Sequence, residues 1–284
     1  MTNRFLYGPI ISRRYGRSLG VDLTDGKVCS FNCLFCQIGP TENPTVHRVS
    51  EPTAEAVIAE LREWMKAEGR TDFVTLCGSG EPTLNTGFGK VLRFVRDETP
   101  YKSLLMSNGS LFTEEDVRRD ACAADAVKLS LHSWDQDSFE RIVRPESSLR
   151  FDAVLEGYCR FRHLFQGKLD IEVFIIPGIN NLPEQVEKIA ACVRRVSPDS
   201  VTLNTAVRTP TESSVTASSE EELARLRPYF DFAAERKGYS ASDPLVFSEE
   251  AVRSFYKRHP IPEAELAAQF GCTPEQIRKA LCEH

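Results

Sequence analysis

The sequence predicts an α/β protein, a partial (β/α)6 TIM-like barrel of parallel strands followed by a small helical, helix-turn-helix-like module. Two observations carry this. From about residue 20 to 205, short β-rich runs alternate with amphipathic stretches, the pattern of βαβ units around a parallel sheet. Every chemistry-bearing motif then falls just after one of those runs, where parallel sheets carry their sites.

The strand candidates are residues 18–23, 73–78, 103–108, 126–131, 169–175 and 200–204. Most are separated by helical stretches with apolar residues at three- and four-residue spacing. Residues 53–67 place Val57, Ile58, Leu61 and Met65 on one face. Residues 88–96 carry Val91, Leu92 and Val95, residues 151–165 carry Val154, Leu155, Tyr158 and Phe161, and residues 186–193 carry Ile189 and Val193. After a Thr-, Ser- and Pro-rich loop at 206–218, Ser219 with Glu222 forms a capping box that opens a helix to about residue 236. Asp243-Pro244 marks a break.

Residues 1–240 are thus the barrel domain and 247–284 the appended module. The module has helices at 249–257 and 262–270, a turn at Gly271, and a third helix opened by Thr273-Pro274-Glu275-Gln276. Ala267, Gly271 and Ile277 fall where a helix-turn-helix places its small, turn and core residues. Its charge argues less for nucleic acid: Arg253, Lys257, Arg258, Arg278 and Lys279 stand against six glutamates. Packing, a protein or peptide contact, and nucleic-acid binding all remain open for it.

Hydrophobic residues make up 41% of the 284 and charged residues 27%, an ordinary globular balance with a net charge of −6. No apolar run approaches a membrane span, and the first residues lack a signal-peptide stretch, so a cytoplasmic protein with reduced thiols is expected. Of the nine cysteines, three cluster as Cys29-Ser-Phe-Asn-Cys33-Leu-Phe-Cys36 on a loop after the first strand run. Clustering in a cytosolic chain points to a metal site. Three thiolates this close wrap one face of an iron–sulfur cube and leave its fourth iron open to another ligand. Structural zinc, the alternative, wants a fourth Cys or His, for which His47 is the nearby candidate. Cys122, Cys159, Cys192, Cys272 and Cys282 are scattered and form no second set.

The C-x3-C-x2-C spacing, with Phe35 before its last cysteine, resembles the signature of the radical S-adenosylmethionine (SAM) superfamily. The stretch from Gly8-Pro9 through Ser12-Arg13-Arg14 and Gly16-Arg17-Ser18 to Asp22 resembles a group of Fe-S oxidoreductases related to wyosine-type tRNA-modifying enzymes. The resemblance spans about residues 5–210. It implies a [4Fe-4S] cluster on Cys29, Cys33 and Cys36, and SAM on the open iron. It also implies reductive cleavage of SAM to a 5′-deoxyadenosyl radical that abstracts hydrogen from substrate, the cofactor carrying the chemistry and the protein positioning it. An electron donor such as flavodoxin or ferredoxin would serve it, and the substrate is an RNA, a peptide or a small metabolite. A glycyl-radical-enzyme activase and a non-catalytic iron–sulfur DNA-binding sensor are the other readings.

The same resemblance places Gly78-Ser79-Gly80-Glu81 at the SAM amino group, and Asn108, Ser130 and Asn204 at its ribose, adenine and carboxylate. Relatives usually carry Asp where His132 stands, so His132 contacts SAM, contacts substrate, or is simply satisfied near a loop. Phe35 either packs on the adenine or belongs to the core. Asn180, Thr205 and Arg208 share the neighbourhood of the last two strand ends. Cys77, just before the glycine loop, is a reactive thiol or a small residue at a buried strand end. Arg13, Arg14 and Arg17 bind an anionic substrate group or make structural ion pairs.

Overall fold

The computed structural model describes residues 4–12, 14–67, 69–207, 210–235 and 247–282. Arg13, Arg208 and the Asp243-Pro244 break lie outside the described residues. One sheet holds eight strands in sequential order. β1 (Leu6–Ser12) pairs antiparallel with β2 (Gly16–Val21). From β2 onward all neighbours are parallel: β3 (Phe73–Leu76), β4 (Lys102–Ser107), β5 (Ala126–Ser130), β6 (Lys168–Phe174), β7 (Ser200–Asn204) and the two-residue β8 (Ala234–Glu235). The six strands β2 to β7 are those the sequence predicts, within two residues at each end. The sheet stays open because β1 and β8 do not pair.

The crossovers are α1 (Ala54–Lys66), α2 (Phe88–Glu98), α3 (Glu115–Ala121), α4 (Gln136–Val143), α5 (Phe151–Leu164), α6 (Pro183–Val196) and α7 (Glu220–Leu226). Each longer helix buries its expected face, as α1 does with Val57, Ile58 and Leu61. Thr53 caps α1 by accepting from the Ala56 N–H. Four departures from the sequence reading have local causes. β1 carries Pro9, which reads as a break, and its pairing shifts register between Tyr7 and Ile10. α3 and α4 have seven and eight residues, too few for a clear 3.6-residue period. α6 begins at Pro183, whose fixed φ suits a first helical turn. The helix expected from Ser219 to residue 236 stops at Leu226, where Pro228 tightens the chain into a 3-10 turn, Arg227–Phe230, before β8.

The C-terminal module is α8 (Glu249–Arg258), α9 (Glu263–Phe270) and α10 (Pro274–Cys282). Gly271, in the left-handed region at φ 61°, separates α9 from α10, and Thr273 and Gln276 exchange the expected capping bonds. Val252, Phe255, Leu266, Phe270 and Ile277 form its own core, completed by Tyr7 and Ile10 of β1. The module therefore docks on the antiparallel strand that the sequence reading did not see.

Candidate active site

The inner faces of the strands are layered, because alternate strand residues point inward. At the base lie Tyr15, Phe73, Leu104 and Ala126, with Met106 packed against them from the layer above. The middle carries Thr75, Lys128 and Glu172, and the upper layer Cys77, Asn108, Ser130 and Phe174. Above the base the interior opens into a cavity of about 1030 Å3, which also receives the cysteine loop and the module.

The cysteine loop is tied to the barrel from several sides. Asn32 and Leu34 donate to the carbonyls of Val143 and Ile142 at the end of α4, at 3.0 and 3.1 Å. Thr211 donates to the Cys36 carbonyl through its N–H at 2.9 Å and its hydroxyl at 2.8 Å. Phe31 is buried edge-on against Phe139 at 5.4 Å. Cys29, Cys33 and Cys36 are left partly exposed, lining the cavity together.

These residues fit an iron–sulfur cube. Donors already approach two of the three sulfurs: the Lys27 ammonium lies 2.9 Å from Cys36 Sγ, and the Asn108 amide donates to Cys29 Sγ at 3.4 Å. Such donors favour thiolate, the form that binds metal. Without metal, burial pushes the Cys29 thiol up to about 11 and Cys33 well above its usual value. Among the described residues no three His, Cys, Asp or Glu side chains converge on one ion position. A cube, which takes one thiolate per iron, needs no such convergence. His47 is exposed and outside the cavity lining.

The glycine loop braces this site. A Cβ on Gly80 would lie 1.8 Å from the Val28 carbonyl oxygen, and one on Gly78 would lie 2.4 Å from the Asp22 carboxylate. The glycines let the chain pass directly under the cysteine loop, where the Glu81 N–H donates to Val28 at 2.9 Å. Glu81 is 2% exposed, and its carboxylate accepts from the Thr83 N–H and hydroxyl, the Ser107 hydroxyl and the Asn108 N–H, at 2.6 to 3.0 Å. It thereby clamps the ends of β3 and β4, which sets the Asn108 amide beside Cys29. Burial pushes the Glu81 carboxyl up, only partly offset by these bonds. Ser79 donates to Asp22 through its N–H and hydroxyl.

Phe35, Gly78, Ser79, Gly80, Glu81, Asn108, Ser130 and Asn204 all line the cavity with the three cysteines. His132 is not among the lining residues. It is buried behind Phe35, edge-on at 4.8 Å, and its Nδ1 accepts from the Phe174 N–H at 2.9 Å. Phe35 stacks on Phe174 at 4.2 Å. Asn180 is fully buried, donating to the carbonyls of His132 and Phe174 and accepting from the Ile176 N–H. Thr205 is likewise buried, bonded to the Ile175 carbonyl. Cys77 lines the cavity within 2.8 Å of the Tyr7 hydroxyl, and burial pushes its thiol up to about 11. Arg17 is held by Asp72 at 3.0 Å, the structural alternative, whereas Arg14 faces the cavity. Sequence reasoning gave no role to Lys27, Asp22, Lys128 or Glu172. For the last two the signal was present: each lies two residues before an inward-facing neighbour on its strand.

His132 carries a pH prediction. Burial lowers its pKa from 6.5 to about 4, so the folded chain holds it neutral where the unfolded chain protonates it. Its contribution is complete above about pH 6.5 and is lost as pH falls towards 4. Wild type should lose about 3 kcal/mol more between pH 7 and 4 than His132→Asn, as read from denaturant melts. Parallel pH profiles for the two proteins would refute this.

Comparison with known proteins agrees with the cysteine spacing and the sheet. The radical SAM superfamily model matches residues 23–193. A UPF0026 protein of Methanocaldococcus jannaschii is 30% identical over 268 residues, covering 90% of this chain and 83% of its own length. A Brachyspira hyodysenteriae protein named GTPase Obg is 34% identical over 283 residues, and this chain spans 42% of its length. A radical SAM methyltransferase from Sphaerobacter thermophilus shares the fold at TM-score 0.56 and 21% identity, over 75% of this chain and 62% of its own. No helix among the described residues is long and apolar enough to cross a membrane. With three clustered thiols at the strand ends of an open parallel barrel, and the family model spanning most of that barrel, the chain belongs to the radical SAM superfamily, whose cofactors are a [4Fe-4S] cluster and SAM.

Proposed function

We propose that the chain is a radical SAM enzyme that holds its cluster on Cys29, Cys33 and Cys36 and binds SAM between the cluster and the ends of β3 to β7. The observation that carries this is one cavity lined by all three thiols, the glycine loop, Asn108, Ser130, Phe35 and Asn204. When bound, the cluster and SAM supply a 5′-deoxyadenosyl radical for hydrogen abstraction from substrate.

The chain's own residues do the positioning. Glu81, with three hydrogen bonds on Oε1 and one on Oε2, fixes β3 against β4 and keeps an acceptor position on Oε2 for the SAM ammonium, beside the loop backbone, Asn108 and Ser130. The Phe35–Phe174 stack offers an aromatic face to a purine. His132 orients that stack from behind. The cofactor's one-electron supply comes from a reductant protein of the flavodoxin or ferredoxin class.

The test is anaerobic reconstitution with iron and sulfide, addition of SAM and a strong reductant, and quantification of 5′-deoxyadenosine. A reconstituted cluster that neither binds nor cleaves SAM would sink the proposal. Lys27 adds a second reading of the same site. A cation against a ligand sulfur favours the more negative, reduced cluster. Lys27→Met should lower the midpoint potential in a redox titration followed by electron paramagnetic resonance, and an unchanged potential would remove Lys27 from the site.

A further inference from the structure

The middle layer of the cavity holds a feature to which the proposed cofactor contacts assign no role. Lys128 on β5 and Glu172 on β6 form an ion pair at 2.6 Å, with side chains 15% and 14% exposed, and Asn204 donates to Glu172 at 3.3 Å. Largely buried ion pairs contribute little to stability compared with apolar residues of similar volume, so fold stability alone does not account for this one. Both groups face the cavity, two residues deeper along their strands than Ser130 and Phe174. Burial pushes the Glu172 carboxyl up, but the Lys128 ammonium outweighs it and holds the group below its ordinary value, so Glu172 stays charged at neutral pH.

The C-terminal module bounds the same space. Phe255 and His259 of α8 and Glu265, Ala268 and Gln269 of α9 line the cavity. The Gln269 side-chain oxygen is buried without a hydrogen-bond partner. Arg258 anchors the module, lying 3.4 Å from Asp22, which in turn holds Ser79 of the glycine loop. Setting aside Lys27 at the cysteines and Glu81 at the ends of β3 and β4, the described lining charges are Arg14 and Lys128 against Glu172 and Glu265. That balance does not attract a polyanion. Sites for drug-sized ligands run to roughly 300–1,000 Å3. The cavity's 1030 Å3 lies at the upper end of that range, so beyond the cofactor it leaves room for a compact ligand rather than a large one.

We propose that this middle layer, walled by α8 and α9, is the substrate pocket, and that its ligand is a compact zwitterion of the amino-acid or short-peptide class. The ligand carboxylate takes Lys128 and its ammonium takes Glu172, each exchanging its partner across the pair for an opposite charge on the ligand. The unpartnered Gln269 oxygen accepts a further N–H. This assignment rests on the radical SAM reading of the cavity.

The test reads binding separately from chemistry. Equilibrium dialysis of the full chain, with and without its cluster, is run against pooled L-amino acids and dipeptides, their N-acetyl amides, nucleoside monophosphates, and methionine alone. Unblocked amino acids or dipeptides should bind at least about tenfold more tightly than the blocked forms, the scale of one lost charge-assisted contact. The decisive variant is the double exchange Lys128→Glu with Glu172→Lys, which keeps an ion pair but reverses its direction. It should restore the melting temperature that either single change lowers, and still lose about tenfold or more in binding. Four results would overturn the proposal: binding retained by the exchanged pair, which makes the pair structural; tighter binding of nucleoside monophosphates; binding of methionine alone, which gives the pocket to the cofactor's own amino-acid end; and no binding by any zwitterion. A chain that binds the zwitterion but neither binds nor cleaves SAM would refute the radical chemistry and leave the pocket standing.

Discussion

Cys33→Ala abolishes cluster incorporation and 5′-deoxyadenosine formation together. Cys33 lies between Cys29 and Cys36 in sequence, and its thiol feels both, each raising its proton affinity beyond the effect of burial. Two thiolates cannot hold a cube that needs three protein ligands, and no other cysteine faces the cavity except Cys77, which sits at a strand end against Tyr7. Iron per chain should fall to background and product below detection. The cluster-free chain should lose about 1 kcal/mol or less, because the side chain is small and only partly buried. Cys77→Ala is the matched control and should keep its iron. Iron content equal to wild type in Cys33→Ala, or lost from Cys77→Ala, would move the cluster away from the assigned loop.

Gly80→Ala should be as damaging to the site through packing alone. The added methyl would sit 1.8 Å from the Val28 carbonyl oxygen, a backbone atom with no rotamer to move. Either the glycine loop or the cysteine loop must shift, and the Glu81 N–H to Val28 bond breaks with it. We expect a loss of about 3 kcal/mol, at the upper end of overpacking costs, in the cluster-free chain. Because Val28 precedes Cys29, a fall in reconstituted iron should accompany it. Ser79→Ala, on the intervening residue, removes only the hydroxyl bond to Asp22 and should cost about 1 kcal/mol. Equal stability of Gly80→Ala and wild type in denaturant melts would contradict the close approach.

The relation between these two positions separates local from tertiary information. The spacing of Cys29, Cys33 and Cys36 lies within one loop, so it was legible directly. The six parallel strands were legible for a similar reason. Strands buried on both faces read as apolar runs, as in Phe73–Leu76, and the longer helices between them carry a 3.6-residue period. β1 was not legible, because Pro9 interrupts its pattern and its partner is set by a hairpin with a register shift. Nor was the end of α7, where Pro228 outweighed a good N-terminal cap.

Residue roles divided along the same line. Glu81 and His132 stand out in the sequence by their chemistry and their strand-end positions. What they do depends on neighbours far along the chain: Ser107 and Asn108 donate to Glu81, and the Phe174 N–H occupies His132 Nδ1. The pairing of Lys128 with Glu172 needed β5 and β6 to lie side by side, and the wall facing them came from a module more than 70 residues further on. By itself the sequence determined the cysteine loop, the parallel barrel and the helical appendage, since each is written in spacing and periodicity within a short segment. Only the tertiary structure decided which polar groups face the cavity and which are already satisfied, because hydrogen-bond saturation and burial are properties of contacts between segments.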